Sequence, residues 1–214
     1  MIRPGKFITL EGGEGVGKST NLAVIESYLA ENDVEYIVTR EPGGTHLAEK
    51  IRDLILDNHD EPMDAATELL LVFAARAQHL NTKIRPAIAK GKWVLCDRFT
   101  DATYAYQGAG RELGKRFISA LEDLVQGELR PDLTVILDLE PATGLNRASQ
   151  RGALDRIEQE QIDFFHRVRS CYLEIAAANP QRCALIDASK PLLAVRDQLL
   201  ETLEQRLRIF LDER

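Results

Sequence analysis

The chain of 214 residues carries a formal net charge of −7, with 44% hydrophobic and 29% charged residues. That is enough apolar material for one substantial core, and the negative balance speaks against a long polyanion such as nucleic acid as a partner, so any affinity for phosphate must come from locally placed arginines. No apolar run approaches the ~20 residues of a membrane span, Met1 to Gly5 is too short and polar for a secretory signal, and Cys96, Cys171 and Cys183 are odd in number without metal-ligand spacing, so a cytoplasmic protein with buried or idle thiols is expected.

The apolar run Lys6 to Glu11 predicts a buried strand. The next residues, Gly12-Gly13-Glu14-Gly15-Val16-Gly17-Lys18-Ser19, fit the pattern Gly-x-x-x-x-Gly-Lys-Ser/Thr in full. Glycines let the backbone aim several N–H groups into one concavity, Lys18 adds a fixed charge, and Ser19 offers a hydroxyl to Mg2+. Leu22, Ile25 and Leu29 then repeat at helical intervals from Thr20 to Ala30, so strand, glycine loop and helix occur in the order a phosphate cradle needs. The competing reading is a glycine turn with a chance lysine.

Val34 to Thr39 reads as a second strand, running into the turn Arg40-Glu41-Pro42-Gly43-Gly44-Thr45. Helical spacing follows in Leu47, Ile51, Leu54 and Ile55, with Arg52 in the same helix, and again from Ala65 to Lys90, with a kink expected at Pro86. Lys92 to Cys96 is the third strand and delivers Asp97-Arg98 at its carboxyl end, where an aspartate can hold magnesium directly or through water. A salt-bridged Asp-Arg pair is the structural alternative. Phe99 to Arg111 reads as a polar, aromatic loop containing Thr103, Tyr104, Tyr106, Gln107, Gly108 and Gly110.

Leu113 to Gly127 predicts an amphipathic helix and Pro131 to Leu139 a fourth strand. Pro141 to Glu160 carries Arg147, Arg151 and Arg156, with Gly152 placed to interrupt a helix; it reads as a lid, or else as a solvated charged face. Phe164 to Ala178 is helical, Cys183 to Asp187 the fifth strand and Leu192 to Leu211 a closing helix. Five short strands separated by helices imply an α/β three-layer sandwich with a five-stranded parallel sheet, in a single domain covering 1–214 with a lid at about 141–160. The loops after strands one to three and the arginine segment would then gather along one carboxyl edge.

With these motifs in place the chain resembles the thymidylate kinases of the bacterial type. The resemblance rests on the phosphate loop with Glu14 inside it, Thr39 to Thr45, Phe73-Ala74-Ala75-Arg76, Asp97-Arg98, Ala105-Tyr106-Gln107-Gly108 and Leu154-Asp155-Arg156, and spans almost the whole chain. It implies a P-loop nucleoside monophosphate kinase fold, transfer of the γ-phosphoryl of ATP to dTMP for dTTP synthesis, a magnesium cofactor held through Ser19 and Asp97, and a homodimer, with no nucleic acid or membrane as partner. Gly12 to Thr20 and Arg147 would then bind ATP. Lys18, Asp97, Arg98 and Arg151 would serve catalysis. Glu14, Glu41, Pro42, Arg52, Phe73, Arg76, Arg98, Thr103, Tyr106 and Gln107 would bind dTMP. Within that set Glu14 faces the 3′-hydroxyl side of the sugar, Arg52 and Arg98 hold the phosphate, and Gln107 and Arg76 read the thymine edge.

The chain departs from the pattern in three places. No arginine stands inside the phosphate loop, Ser149 stands where some relatives carry a further arginine, and Val72 stands where many place the phenylalanine that stacks on the base, which moves that role to Phe73. Two other classes remain open on residues alone. A kinase for a different monophosphate or a deoxynucleoside would share these features, and a GTP-hydrolysing switch would share the loop but lacks here any Asn-Lys-x-Asp motif.

Overall fold

The structure, a computed structural model, describes residues 3–150, 152 and 154–212. In chain order the elements are β1 (Phe7–Gly12), α1 (Lys18–Glu31), β2 (Tyr36–Arg40), α2 (His46–Leu56), α3 (Ala65–His79), a π-helical turn Leu80–Ile84, α4 (Arg85–Ala89), β3 (Trp93–Asp97), α5 (Thr100–Thr103), a second π-helical stretch Tyr104–Gly110, α6 (Lys115–Gln126), β4 (Leu133–Asp138), α7 (Pro141–Ser149), α8 (Ile162–Ala178), β5 (Cys183–Asp187) and α9 (Leu192–Asp212). Local chemistry sets several of these ends. Thr45 caps α2 by accepting from the Ala48 N–H, Asp64 caps α3 by accepting from Ala66, and Pro86, which has no N–H to give, sits in the first turn of α4.

The five strands form one parallel sheet in the order β2-β3-β1-β4-β5. Register places Asp97 beside both Arg40 and Leu10, so β2 and β3 end level, β1 runs on to Gly12, and their loops open on the same edge. On one face Ile8, Leu10, Leu95, Val135 and Leu137 bury against Ile25 and Leu29 of α1 and Leu199 and Leu203 of α9. On the other, Phe7, Val94 and Cys96 meet Leu80, Ile84 and Phe99, while Ile136 and Cys183 meet Phe164, Phe165 and Val168 of α8. Each buried aliphatic side chain stabilises the fold by about 1.5–3 kcal/mol. β1 also buries two polar residues, Thr9 and Glu11, on this second face, where Thr9 pairs with Thr134 at 2.9 Å.

One expectation needs correction: Phe99 to Arg111 is helical for most of its length rather than a loop. Neither Gly108 nor Gly110 has positive φ. They are small because a Cβ would lie 2.8 Å from Ile118 on one and 2.5 Å from the Phe164 ring on the other. Glycine here permits close helix packing, a use that sequence pattern does not separate from turn-making.

Candidate active site

The phosphate loop leaves β1 and enters α1 through Gly15 and Gly17, with φ of 65° and 91°. Gly17 takes the N-cap position without any side-chain cap, which leaves the first N–H groups of α1 for an anion. Gly15 has a second constraint, since a Cβ there would run into the Gly144 carbonyl of α7. Lys18 Nζ lies 3.3 Å from the Gly13 carbonyl. Burial first, and the Arg98 charge second, lower its pKa, against the pull of Glu14, Asp97 and Glu11.

Asp97 and Arg98 close β3 as expected. One Asp97 oxygen, Oδ1, is buried without a hydrogen-bond partner. Arg98 adopts φ of 67°, an uncommon backbone state for a residue with a Cβ. Its guanidinium donates to the Gly12 carbonyl at 2.9 Å and to Glu14 at 2.8 Å, and lies 4.6 Å from the centre of the Tyr106 ring. Burial works against that charge, but Tyr106, Glu14, Tyr172 and Asp97 outweigh it and hold the pKa well above the ordinary arginine value. Glu14 also accepts from the Tyr106 hydroxyl at 2.7 Å.

From the end of β2 come Arg40, Glu41 and Pro42. Arg52 of α2 donates to the Pro42 carbonyl at 2.9 Å. Burial, then the Arg40 and Arg98 charges, lowers the Arg52 pKa, and all three arginines line one cavity, where an anion would relieve their repulsion. Glu41 is 3% exposed and commits one oxygen to Arg76 Nε at 2.6 Å and the other to His79 at 3.0 Å. Arg76, 1% exposed, also donates from Nη2 to Thr103 at 2.9 Å, and its Nη1 is buried without a partner.

These groups border one cavity of about 490 Å³. Glu14 to Thr20, Arg52, Asp97, Arg98 and Arg147 line it together with Glu41, Pro42, Arg76, Thr103, Tyr106 and Gln107. Gly12 and Gly13 do not border it; Gly13 lines a small cleft beneath the loop. Phe73 is a correction. It is 3% exposed and packs with Leu69 and Ile118, 4.8 Å from the Arg76 guanidinium, while its neighbour Val72 borders the cavity. Successive helical positions lie about 100° apart, so the face that carries Val72 inward turns Phe73 into the core. Arg151 lies outside the described residues.

Sequence reasoning missed several participants. Arg40, Asp155, Ile157 and Glu158 also line the cavity. Arg156 ties the lid down by donating to Glu68 at 2.6 Å and to the Ile55 carbonyl at 2.8 Å. The readable signal for Glu68 and Glu11 was a carboxylate inside an otherwise apolar element. Nothing in the sequence marked Gly144.

A family model described as thymidylate kinase matches residues 10–199. The thymidylate kinase of Teredinibacter turnerae is 58% identical over 200 residues, covering 94% of this chain and 98% of that one. That of Pseudomonas fluorescens is 60% identical over 203 residues, covering 95% and 97%. The solved structure of thymidylate kinase from Ehrlichia chaffeensis aligns with a TM-score of 0.75 at 34% identity, over 94% of this chain and 99% of that one.

Proposed function

The chain belongs to the thymidylate kinase family, and we propose that its cavity holds dTMP between Arg98 and Gln107 while ATP lies on the phosphate loop. The enzyme transfers the γ-phosphoryl group of ATP to dTMP, giving dTDP and ADP, on the P-loop nucleoside monophosphate kinase fold. The observation that supports this placement best is the charge of this cavity, which arginines from three separate elements, Arg52, Arg98 and Arg147, line together with Arg76 and Gln107.

The acceptor is a phosphate oxygen already ionised at neutral pH, so the site needs alignment and positive charge rather than a general base. Lys18 sits at the β- and γ-phosphates, Arg52 and Arg98 orient the dTMP phosphate, and Arg147 with Arg151 brings charge from the lid segment 141–160. Glu14 faces the 3′-hydroxyl of the sugar and fixes Arg98 and Tyr106. Tyr106, braced edge-on by Phe164 and Tyr172, packs where a 2′-hydroxyl would collide. Arg76 Nη1 donates to the ring carbonyl of thymine at position 4, Gln107 meets N3–H, and Val72 and Phe99 supply the apolar wall.

A divalent cation fits this donor set. Asp97 Oδ1 is a buried oxygen without a partner, Ser19 in the first turn of α1 lines the same cavity as Asp97, and no cluster of three His, Cys, Asp or Glu side chains among the described residues could hold a metal by itself. Ser19 and Asp97 would therefore hold Mg2+ jointly with nucleotide phosphates, where it supplies charge neutralisation to the transferring group.

Large apolar side chains stand exposed on three helices that pack side by side: Leu47 and Leu54 on α2, Leu70 on α3, Phe117 and Leu124 on α6. A second copy of this chain covers that surface in our reading, giving a homodimer whose mass sedimentation would report. No described helix is long and apolar enough to cross a membrane, and we take the enzyme to act in the cytoplasm.

An acceptor panel with ATP tests the pocket. By kcat/KM the expected order is dTMP, then dUMP, then UMP and dCMP far behind. Loss of the C5 methyl forfeits apolar contact worth roughly 1–3 kcal/mol, whereas dCMP leaves buried polar groups unpaired and should fall by ~10⁴-fold. Equal turnover of dCMP or UMP would replace this reading with a broader nucleotide kinase.

A further inference from the structure

Gln107 can read a base in either of two opposite senses, because a primary amide offers an acceptor at one end and donors at the other. An inward carbonyl selects the N3–H of thymine. An inward amide would select the bare N3 of cytosine. The proposed selectivity therefore needs something to fix the amide, and nothing in the base itself can do so before binding.

Glu68 on α3 supplies that fix. It is fully buried, and Gln107 Nε2 donates to its Oε1 at 2.8 Å. Arg111 Nε donates to the same oxygen at 3.2 Å, while Arg156 Nη2 and Arg111 Nη2 lie 2.6 and 3.1 Å from Oε2. Burial alone would raise this carboxyl, but Gln107, Arg111 and Arg156 outweigh it and hold the pKa below the ordinary glutamate value. An ionised carboxylate only accepts. Rotating the Gln107 amide by half a turn would set oxygen against oxygen at the 2.8 Å now spanned by a hydrogen bond, in a place closed to water. The amide nitrogen is thus committed to Glu68, and the carbonyl is the end left for the cavity that Gln107 lines.

We propose that Glu68 is a specificity-setting positioning residue: held ionised by Arg111 and Arg156, it locks the Gln107 amide with its oxygen toward the base and so excludes cytosine. The proposal rests on the dTMP pocket assigned above. It also explains why this carboxylate lies wholly inside the protein yet outside the cavity: its contact with the substrate runs through Gln107.

The test is the ratio of kcat/KM for dTMP to that for dCMP in the wild type, Glu68→Gln and Glu68→Asp. A glutamine at 68 can present either end of its own amide, which frees Gln107 to turn. Glu68→Gln should shrink the ratio at least ~10-fold, and Glu68→Asp, which keeps the acceptor-only group, should retain most of it. Loss of folding or general damage lowers both activities together and leaves the ratio alone. A wild type that discriminates and a folded Glu68→Gln with an unchanged ratio would overturn the proposal while sparing the pocket. A wild type that accepts dCMP would sink the pocket reading and this proposal with it. Should Glu68→Gln not fold, the side-chain amide signal of wild-type Gln107, identified by its loss in Gln107→Leu, decides. Protection of its Nε2 protons from solvent exchange, with and without dTMP, supports the lock, and rapid exchange in both states overturns it.

Discussion

The two ends of the cavity are built by different means. At the phosphate end the loop is one contiguous stretch, Gly12 to Ser19, offering backbone N–H groups and a lysine held by its own loop, to which Arg52, Arg98 and Arg147 add charge from three other elements. The base end draws on α3, the loop after β2 and the helical stretch after β3, and each reading side chain is braced by a buried carboxylate: Arg76 by Glu41, Gln107 by Glu68. The difference follows from what is recognised. A phosphate needs charge and donors from any direction, which a loop supplies without burying a side chain. A base edge needs donors and acceptors of fixed sense in a dry site, so each must be satisfied from behind as well as from the front.

This contrast can be broken most sharply at Lys18. Lys18→Ala removes charge at the transferring phosphates while no core contact depends on it, so kcat should fall by at least ~10²-fold with an unchanged melting temperature. Near-normal turnover would remove the loop from the reaction; a large loss of stability would mean that the phosphate end is structural too.

At the base end function and stability should be inseparable. Glu41→Gln leaves the buried Arg76 guanidinium short of its counter-charge, and breaking a buried pair in this way typically costs ~3 kcal/mol. For a chain of this size that is a fall of roughly 10 °C in Tm, accompanied by a raised KM for dTMP. A variant that melts with the wild type would show that Arg76 does not rely on Glu41. For scale, the Arg40–Glu49 pair a few residues away is exposed, and pairs of that kind contribute about 0–1 kcal/mol.

The same contrast explains what could be read from the sequence. All five strands, the phosphate loop and most helices carry periodic or contiguous signals, and Cys183 to Asp187 matched the observed strand residue for residue. Asp97 and Arg98 were legible because an apolar strand delivered them to an edge. Phe73 and Val72 were not separable, since both are apolar and adjacent, and only helix phase decides which of them meets the ligand. Glu68, Arg156 and Tyr172 act across 88 to 161 residues of chain, in contacts that exist only once the elements pack. The role of Gly108 and Gly110 was not legible, because the crowding that demands them comes from α6 and α8.

A third buried carboxylate sharpens the comparison by lacking what the other two possess. Glu41 and Glu68 each bond arginines, but among the described residues the donors to Glu11, under the phosphate loop, are neutral: the Phe99 N–H at 2.7 Å and the Tyr172 hydroxyl at 2.9 Å. Burial first, then Asp101, pushes its pKa up to about 8, against the lowering effects of Arg98, Tyr172 and Phe99. Asp101 is itself clamped by Arg182 at 2.6 Å, so that arginine's charge is already engaged. A carboxyl raised in the folded state holds its proton more tightly there than in the unfolded chain, where the ordinary value is 4.5. Its contribution therefore favours folding most below pH 4.5 and is lost as the pH climbs toward 8, after which it levels off. Glu11→Gln keeps the shape and removes the titration. Relative to this variant the wild type should lose stability between pH 5 and 8 by at most about 1.4 kcal/mol per pH unit, roughly 3–5 °C in Tm for each unit. Parallel melting curves across that range would mean that Glu11 is ionised in the folded protein, and the buried carboxylates at the two ends of the cavity would then be alike.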